Sequence, residues 1–329
     1  MAADAGRLAA ALGQAPLFAG MAEEDLRDFA SVFRMVELEA GEALFRQATP
    51  VDGLHVLLSG EARVTRRLPG EREVEIARLG PGAVMGEIPL LGSGTRSATV
   101  QADSPCSLAF LRREDFHARM RLGRPSALLL RRRIVEMACA RIRADHASLA
   151  ASIDGGAAHP RAAAATPGPV PPEPEVAKPS AVYAARLPFF RSLGPDLAAA
   201  LLDRGEIVQF APRTVILEEG EMASHLHITL NGAVEDVLRR GPQSLRVRFA
   251  GPGRAFGYLG LLDGRPATAS SVARERSVAL AVEAREFGAL LRDADDFSRS
   301  FTAAVESDLM EMLRSTAAPK AQLATAGAR

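Results

Sequence analysis

Thiols are almost missing from this chain. Its 329 residues include two cysteines, Cys106 and Cys139, too few for a disulfide framework or a zinc site of four thiolates. They read as small apolar fillers in a reducing compartment. An excess of either charge is missing too, since Lys and Arg total 40 and Asp and Glu total 40. A dedicated nucleic-acid coat would be clearly basic, so this balance argues against one while leaving room for a local basic patch. Long apolar runs are absent: "SALLL" at 126–130 falls far short of the ~20 residues of a membrane-crossing helix. The opening "MAADAGRLAAALGQAPLF" carries acid early and lacks the apolar core of a secretion signal. Together these absences predict a soluble, cytoplasmic protein.

What is present is a duplication. A chain of this length, 47% apolar, has enough core-forming residues for two domains. "LFAGMAEEDL" at 17 recurs as "FFRSLGPDL" at 189, and "LHVLLSGEARV" at 54 as "LHITLNGAVEDV" at 226. "LGPGAVMGE" at 79 recurs as "AGPGRAFGY" at 250. The opening anchors are 172 residues apart and the later ones 171, as if one hairpin had lost a residue. A repeat this long implies two copies of one domain. Between them, "IDGGAAHPRAAAATPGPVPPEPEVAKPSA" at 153–181 has few large apolar residues and many prolines. Such a segment cannot repay the entropy of ordering and is expected to act as an extended, semi-rigid tether.

Each copy patterns as helix, short strands, helix. Leu26, Phe29, Phe33 and Met35 fall at helical spacing, with Glu24 and Asp25 suited to a first turn. From about Val36 the period drops to two. "GLHVLLSGEARVTRR" and "EREVEIARL" alternate apolar and polar residues between glycine and proline breaks. Many short strands separated by turn signals predict a small antiparallel roll or barrel. The pattern turns helical again in "REDFHARM" and in a long stretch from Ser126 to about Ala151.

One constellation carries chemistry. In "GEIPLLGSGTRSATV", Gly86 lets backbone approach a ligand closely. Glu87 to Leu91 reads as one helical turn whose free amides suit an anion. Pro89 fits a first turn but donates no N–H. The glycines at 92 and 94 bend the chain back, and Arg96 enters a strand where its fork can hold two phosphate oxygens. Ser97 can add a hydroxyl. Glu87 would repel a polyphosphate, so it suits a hydroxyl donor on the same ligand, such as a ribose. An alternative is that Glu87 and Arg96 merely pair on the surface, contributing ~0–1 kcal/mol.

On Gly60 in "LLSGEARV", "LGPGAVMGE" at 79–87 and "RSATV" at 96–100, the chain resembles the cyclic nucleotide-binding domain family. That family is shared by bacterial catabolite activators, cyclic-AMP-dependent kinase regulatory subunits and nucleotide-gated channels. The resemblance covers about 17–150 and again about 187–315. It implies a mainly β fold with flanking helices, namely two antiparallel β-rolls (jelly rolls) joined by the Pro/Ala-rich linker. The domains it suggests are 1–152, 153–182 for the linker, and 183–329. It further implies that Glu87 accepts the ribose 2′-hydroxyl and that Arg96 neutralises the cyclic phosphate. Ser97 would bond that phosphate or touch the base, while the Gly86 amide and Ile88 line the cradle. Pro89 departs from the pattern, because members often donate a backbone amide there. Cyclic AMP is the expected ligand ahead of cyclic GMP.

The second copy lacks both charges. Tyr258 stands where Glu87 does, and Ala267 where Arg96 does. Gly86 to Gly257 and Phe116 to Phe287 are each 171 apart, so the loop has not shortened and Arg265 cannot slide into the arginine's place. Alanine cannot neutralise a desolvated phosphate, and the Tyr258 ring can fill the pocket. The second roll is therefore expected to be a non-binding copy. The alternative is that Arg265 or Arg254 reaches in from a rearranged loop.

Other signals are weaker. His225 and His227 share a strand face, as in metal-binding cupin-type rolls, but no further ligands follow at suitable spacing and no metal is expected. Leu128, Val135, Ile142 and Leu149 repeat every seven residues, joined by Leu130, Ile134 and Met137. This 126–151 stripe could pair with a second chain as a homodimer or pack on its own roll. Arg112, Arg113, Arg119, Arg121, Arg124 and Arg131 to Arg133 make the region locally basic, most simply as a solvated face. No helix-turn-helix follows either roll, so DNA contact is not expected. No catalytic residues or cofactors are evident, and signalling would pass to an unidentified protein partner. The rival readings are a double-roll scaffold that binds no nucleotide and a nucleic-acid-contacting regulator without a helix-turn-helix.

Overall fold

The computed structural model describes residues 2–67, 73–91, 95–154, 177–241, 243–293 and 295–326. They divide into two compact units, Met1–Val135 and Glu136–Arg329. Most of the Pro/Ala-rich tether expected at 153–182 lies outside the described residues.

In the first unit α1 (Ala2–Gln14) and α2 (Glu23–Ala30) precede β1 (Arg34–Leu38), β2 (Ala43–Phe45), β3 (Gly53–Ser59), β4 (Ala62–Arg67), β5 (Glu73–Leu79) and β6 (Val84–Met85). Then come α3 (Ile88–Leu91), β7 (Thr99–Ala102), β8 (Cys106–Arg112), α4 (Arg113–Arg121) and α5 (Pro125–Asp154). The unit boundary falls inside α5, which groups its C-terminal half with the second roll. The strands form two four-stranded sheets, β1-β8-β3-β6 and β2-β7-β4-β5, with every pairing antiparallel. Their inner faces meet in a core of Leu57, Ala62, Met85, Val100, Ala102, Cys106 and Leu108. Gly60 turns β3 into β4 at φ +90°, where an added Cβ would lie 2.4 Å from the Pro105 carbonyl oxygen. Only glycine satisfies both conditions.

The second unit opens with α6 (Ala181–Ala184), α7 (Pro188–Arg191) and α8 (Gly194–Asp203), followed by β9 (Glu206–Phe210), β10 (Val215–Leu217), β11 (His225–Asn231) and β12 (Val234–Arg240). It continues through β13 (Gln243–Ala250), β14 (Ala255–Phe256), α9 (Leu259–Asp263), β15 (Ser270–Ala273), β16 (Ser277–Glu283), α10 (Ala284–Arg292) and α11 (Asp296–Ala326). Its sheets, β9-β16-β11-β14 and β10-β15-β12-β13, repeat the first roll strand for strand. The change in spacing from 172 to 171 has a location. Ala62 pairs with Leu79 and Val234 with Ala250, so the lost residue belongs to the β12–β13 hairpin. Even the bulge recurs, after Val64 in one roll and after Asp236 in the other.

One helical expectation differs from the structure. The helix read through Met35 stops at Ala30, and Met35 is half-exposed in β1, paired with Ala109. Phe33 and Met35 fit both periods, and strand pairing with β8 outweighs helical propensity. Phe33 instead joins Phe18 and Phe29 in an edge-to-face cluster with centroids 5.9–6.4 Å apart, against which α1, not foreseen from the pattern, buries Ala9 and Leu12. The α5 stripe is largely spent inside one chain. Leu130, Ile134, Ile142 and Leu149 are buried, while Leu128 and Met137 stay exposed. Leu149 packs with Ala150 and Ile153 on Leu238, Leu245, Val247 and Ala269 of the second roll.

Both cysteines are free and buried, and burial pushes the Cys139 thiol up to about 12. Burial acts oppositely on His55, His146 and His227, each lowered from 6.5 to about 4. Unfolding between these values takes up protons, so stability is fully present above about 6.5 and falls as the pH drops toward 4. Unfolding free energies from urea titration at pH 5 should fall below those at pH 7 by ~1–2 kcal/mol per histidine, with correspondingly lower midpoints. Equal midpoints would show that these rings are not held neutral.

Candidate functional site

The fold brings Gly86, Glu87 and Arg96 together. Gly86 ends β6 at φ +81°, and an added Cβ would meet Arg96 Nη1 at 2.2 Å and the Gly53 carbonyl at 2.7 Å. Here the glycine serves the arginine's approach as well as the turn. Glu87 is half-buried and starts the α3 turn by accepting from the Leu90 amide at 3.1 Å. Ile88 begins α3; its side chain lies outside the described residues, as do Gly92 to Gly94. Arg96 is held in place by backbone bonds, its amide donating to Thr49 and its carbonyl accepting from Ala48. Ser97 is exposed, and its carbonyl accepts from Arg66 Nε at 3.2 Å.

Arg96 is 4% exposed, so a surface ion pair with Glu87 does not describe it. Its Nη2 donates to Asp52 Oδ1 at 2.5 Å and to the Gly53 carbonyl at 3.2 Å. Its guanidinium carbon lies 3.9 Å from the Phe45 ring centroid, a cation–π contact. Nε and Nη1 have no hydrogen-bond partner among the described residues. Burial draws the Arg96 pKa down, while the bond and charge of Asp52, then the charge of Glu87, pull it back up. Nη2 is thus anchored, while Nε and Nη1, which point to different sides of the guanidinium, stay desolvated with N–H groups to give. Unpaired buried donors cost ~1–3 kcal/mol each, and an oxyanion accepting from either nitrogen relieves part of that cost.

Asp52, Phe45, Gly53 and His55 were not singled out from the sequence. His55 stacks on Phe110 with centroids 4.4 Å apart, and Phe45 lies 5.9 Å from it. Asp52-Gly53 directly precedes the repeated "LHVLLSGEARV" motif, the one signal that could have drawn attention to it. Because Asp52 orients the fork from its far side, Asp52→Ala should weaken oxyanion binding about three- to tenfold, as expected for one mostly exposed charge-assisted bond. Calorimetric titration checks this, and unchanged affinity would remove the orienting role.

The second roll keeps the frame and changes the groups. Ala267 donates to the Glu221 carbonyl and accepts from the Gly220 amide, each at 2.8 Å. These are the counterparts of Thr49 and Ala48, so Ala267 occupies the backbone place of Arg96. Gly257 keeps φ +74°. Tyr258 is fully buried, and its hydroxyl donates to Asp308 Oδ2 at 2.8 Å. Arg265 presents its carbonyl to Arg143 at 3.3 Å. Across the same loop, Arg143 grips both Asp263 oxygens at 2.5 and 2.7 Å and the Pro266 carbonyl at 2.7 Å. His146 Nδ1 meets Thr268 Oγ1 at 2.7 Å, Thr268 standing where Ser97 does.

His225 and His227 lie 5.7 Å apart, and His227 stacks on Phe256 at 4.9 Å. Among the described residues no group of three His, Cys, Asp or Glu could hold a metal ion, and no helix is long and apolar enough to cross a membrane. Within the basic region, Arg119 is committed to Asp28 and Ser31, and Arg112 to Glu114.

Comparison with known proteins gives this geometry a family. The sequence profile described as "Cyclic nucleotide-binding domain" matches residues 35–121 and 207–294. A "Cyclic AMP receptor protein" of Thermus thermophilus is 36% identical over 125 residues, covering 37% of this chain and 58% of the relative. The "cGMP-dependent protein kinase egl-4" of Caenorhabditis briggsae is 33% identical over 107 residues, covering 32% and 14%. The chain thus spans less than two thirds of either relative's length. Among solved structures, the regulatory domain of Toxoplasma gondii PKA with cAMP is 19% identical, covers 93% of this chain and 97% of its own, and has a TM-score of 0.36. The two profile matches fall on the two rolls and together take in more than half of the residues, so this chain belongs to the cyclic nucleotide-binding domain family, which it carries twice.

Proposed function

We propose that this chain is a cyclic nucleotide sensor whose first roll binds cyclic AMP, in preference to cyclic GMP, and whose second roll is a docking copy that binds no nucleotide. The observation that carries this is the Arg96 fork, desolvated and anchored through Nη2 while Nε and Nη1 remain unpaired among the described residues. A cyclic phosphate carries charged oxygens that can accept from these N–H groups, and Glu87 lies near enough for its charge to act on Arg96. A carboxylate beside the phosphate-binding arginine suits a ribose hydroxyl that donates to it. Ser97 and the Gly86 amide complete the cradle. In the second roll Ala267 and Tyr258 supply neither charge.

The domain plan is a ligand-competent 1–152, a tether at 153–182 and a second roll at 183–329, working in the cytoplasm without a catalytic step of its own. Nucleotide neutralises Arg96 and draws the α3 loop inward. The loop then repositions α5, and the surface offered to a protein partner changes. Ligand drives this only through its differential affinity for the two arrangements. The unexposed positions of the α5 stripe favour this internal role for the helix over pairing with a second chain.

Calorimetric titration of cyclic AMP and cyclic GMP into the whole chain tests the reading. One site per chain is expected. Two sites would refute the non-binding second roll. No heat with either nucleotide would favour a scaffold, and steeply salt-dependent duplex binding would favour a nucleic-acid contact.

A further inference from the structure

The second roll contains a buried polar network for which the first has no counterpart. Arg248 on β13 is 5% exposed and Asp308 on α11 is 3% exposed. Arg248 Nη2 donates to Asp308 Oδ2 at 2.8 Å, and its Nη1 donates to the Ala255 carbonyl at 2.7 Å. The same Asp308 carboxylate accepts from the Tyr258 hydroxyl at 2.8 Å and from the Ala255 amide at 3.3 Å. Asp236 stands 3.8 Å from Arg248 on its other side and accepts from Ser271 at 2.6 Å. By the repeat spacing, Asp236, Arg248 and Asp308 correspond to Val64, Ala77 and Met137, none of which ionises. Charges placed so deeply persist only when paired and hydrogen-bonded, so the three groups are retained together or not at all.

The carboxylate does what a bound anion would do. It sits against residues 255–258, the stretch equivalent to 84–87, and is gripped there by a guanidinium, a hydroxyl and a backbone amide. Burial and the Asp308 charge hold the Tyr258 hydroxyl well above its ordinary pKa, so it remains a donor. We propose that Asp308 is a tethered internal anion of the second roll, which locks α11 onto the roll without nucleotide and makes the roll a permanently closed platform. This rests on the reading of the second roll as non-binding and adds what takes the ligand's part. The C-terminal half of α5, through Arg143 and His146, then docks on a loop whose position no nucleotide controls.

The test is amide hydrogen exchange on the full chain. Asp308→Ala should speed exchange across residues 300–316 at least tenfold while β9 to β16 keep their protection. Added formate, a carboxylate small enough to refill the gap, should slow it again at least threefold relative to chloride at equal ionic strength. Tyr258→Phe, which removes only one hydroxyl, should give a smaller acceleration in the same segment and reads the contact if the alanine variant does not fold. Wild-type exchange in α11 of both variants, or identical effects of formate and chloride, would overturn the proposal. Finding two nucleotide sites in the wild type would instead overturn the non-binding reading, and the exchange data would still report whether Asp308 holds α11.

Discussion

Replacing Arg96 with alanine is expected to lower cyclic AMP affinity by about 10²- to 10³-fold, equivalent to ~3–4 kcal/mol for two charge-assisted hydrogen bonds in a desolvated site. The size follows from burial. At 4% exposure water cannot take over the phosphate oxygens once the fork is gone, and a desolvated phosphate without a counter-charge is costly. Lysine would keep the charge yet lose the planar fork, so Arg96→Lys should still lose about tenfold. Folding should be little affected, because Arg96 already carries two unpaired nitrogens among the described residues and its removal relieves their desolvation. Calorimetry alongside urea unfolding separates the two outcomes. A variant that binds normally would displace Arg96 from the site, whereas one that binds weakly only because it is unfolded would leave its role to be read from Arg96→Lys.

Much of the fold was legible because it is written locally. Alternation in "LHVLLSGEARV" marks β3 and β4, and the change in repeat spacing shows that one residue was lost, although only strand pairing assigns it to the β12–β13 hairpin. Ala267 could be matched to Arg96 by counting from two glycines and two phenylalanines, and its two backbone bonds agree with that count. What stayed hidden depends on partners distant in sequence. Asp52 lies 44 residues before Arg96, and Asp308 lies 60 residues beyond Arg248. No periodicity relates such pairs; only the closed roll does. The α5 stripe shows the same limit in another form. Seven-residue spacing says that one helix face is apolar but not what covers it, and Leu149 and Ile153 turn out to be covered by β12 and β13.

Removal of Arg143 should destabilise the second unit by ~2–3 kcal/mol, below the ~3–5 kcal/mol of breaking a fully buried ion pair because this pair keeps some water access. Both side chains are 13% exposed, enough to soften the loss without abolishing it. Arg143 holds Asp263 with two nitrogens and also satisfies the Pro266 and Arg265 carbonyls. Arg143→Ala therefore removes a donor from four oxygens at once, of which Asp263 Oδ1 keeps only the Arg265 amide. For a unit of this size the loss corresponds to a fall of roughly 4–12 °C in Tm. Asp263→Asn should cost less, since its amide oxygen can still accept one bond and the carbonyls keep their donor. The coupling between the two positions in a double-variant cycle should then exceed ~1 kcal/mol. The apolar pair Arg143→Met with Asp263→Leu should recover part of the loss, because neither charge is left alone. The consequence for signalling is separable from that for binding. The Arg96 cradle is untouched by these changes, so Arg143→Ala should still bind one nucleotide per chain while exchange across residues 136–154 rises. Loss of binding at unchanged stability would show that the α5 anchor sets nucleotide affinity itself, contrary to the division of labour proposed for the two rolls.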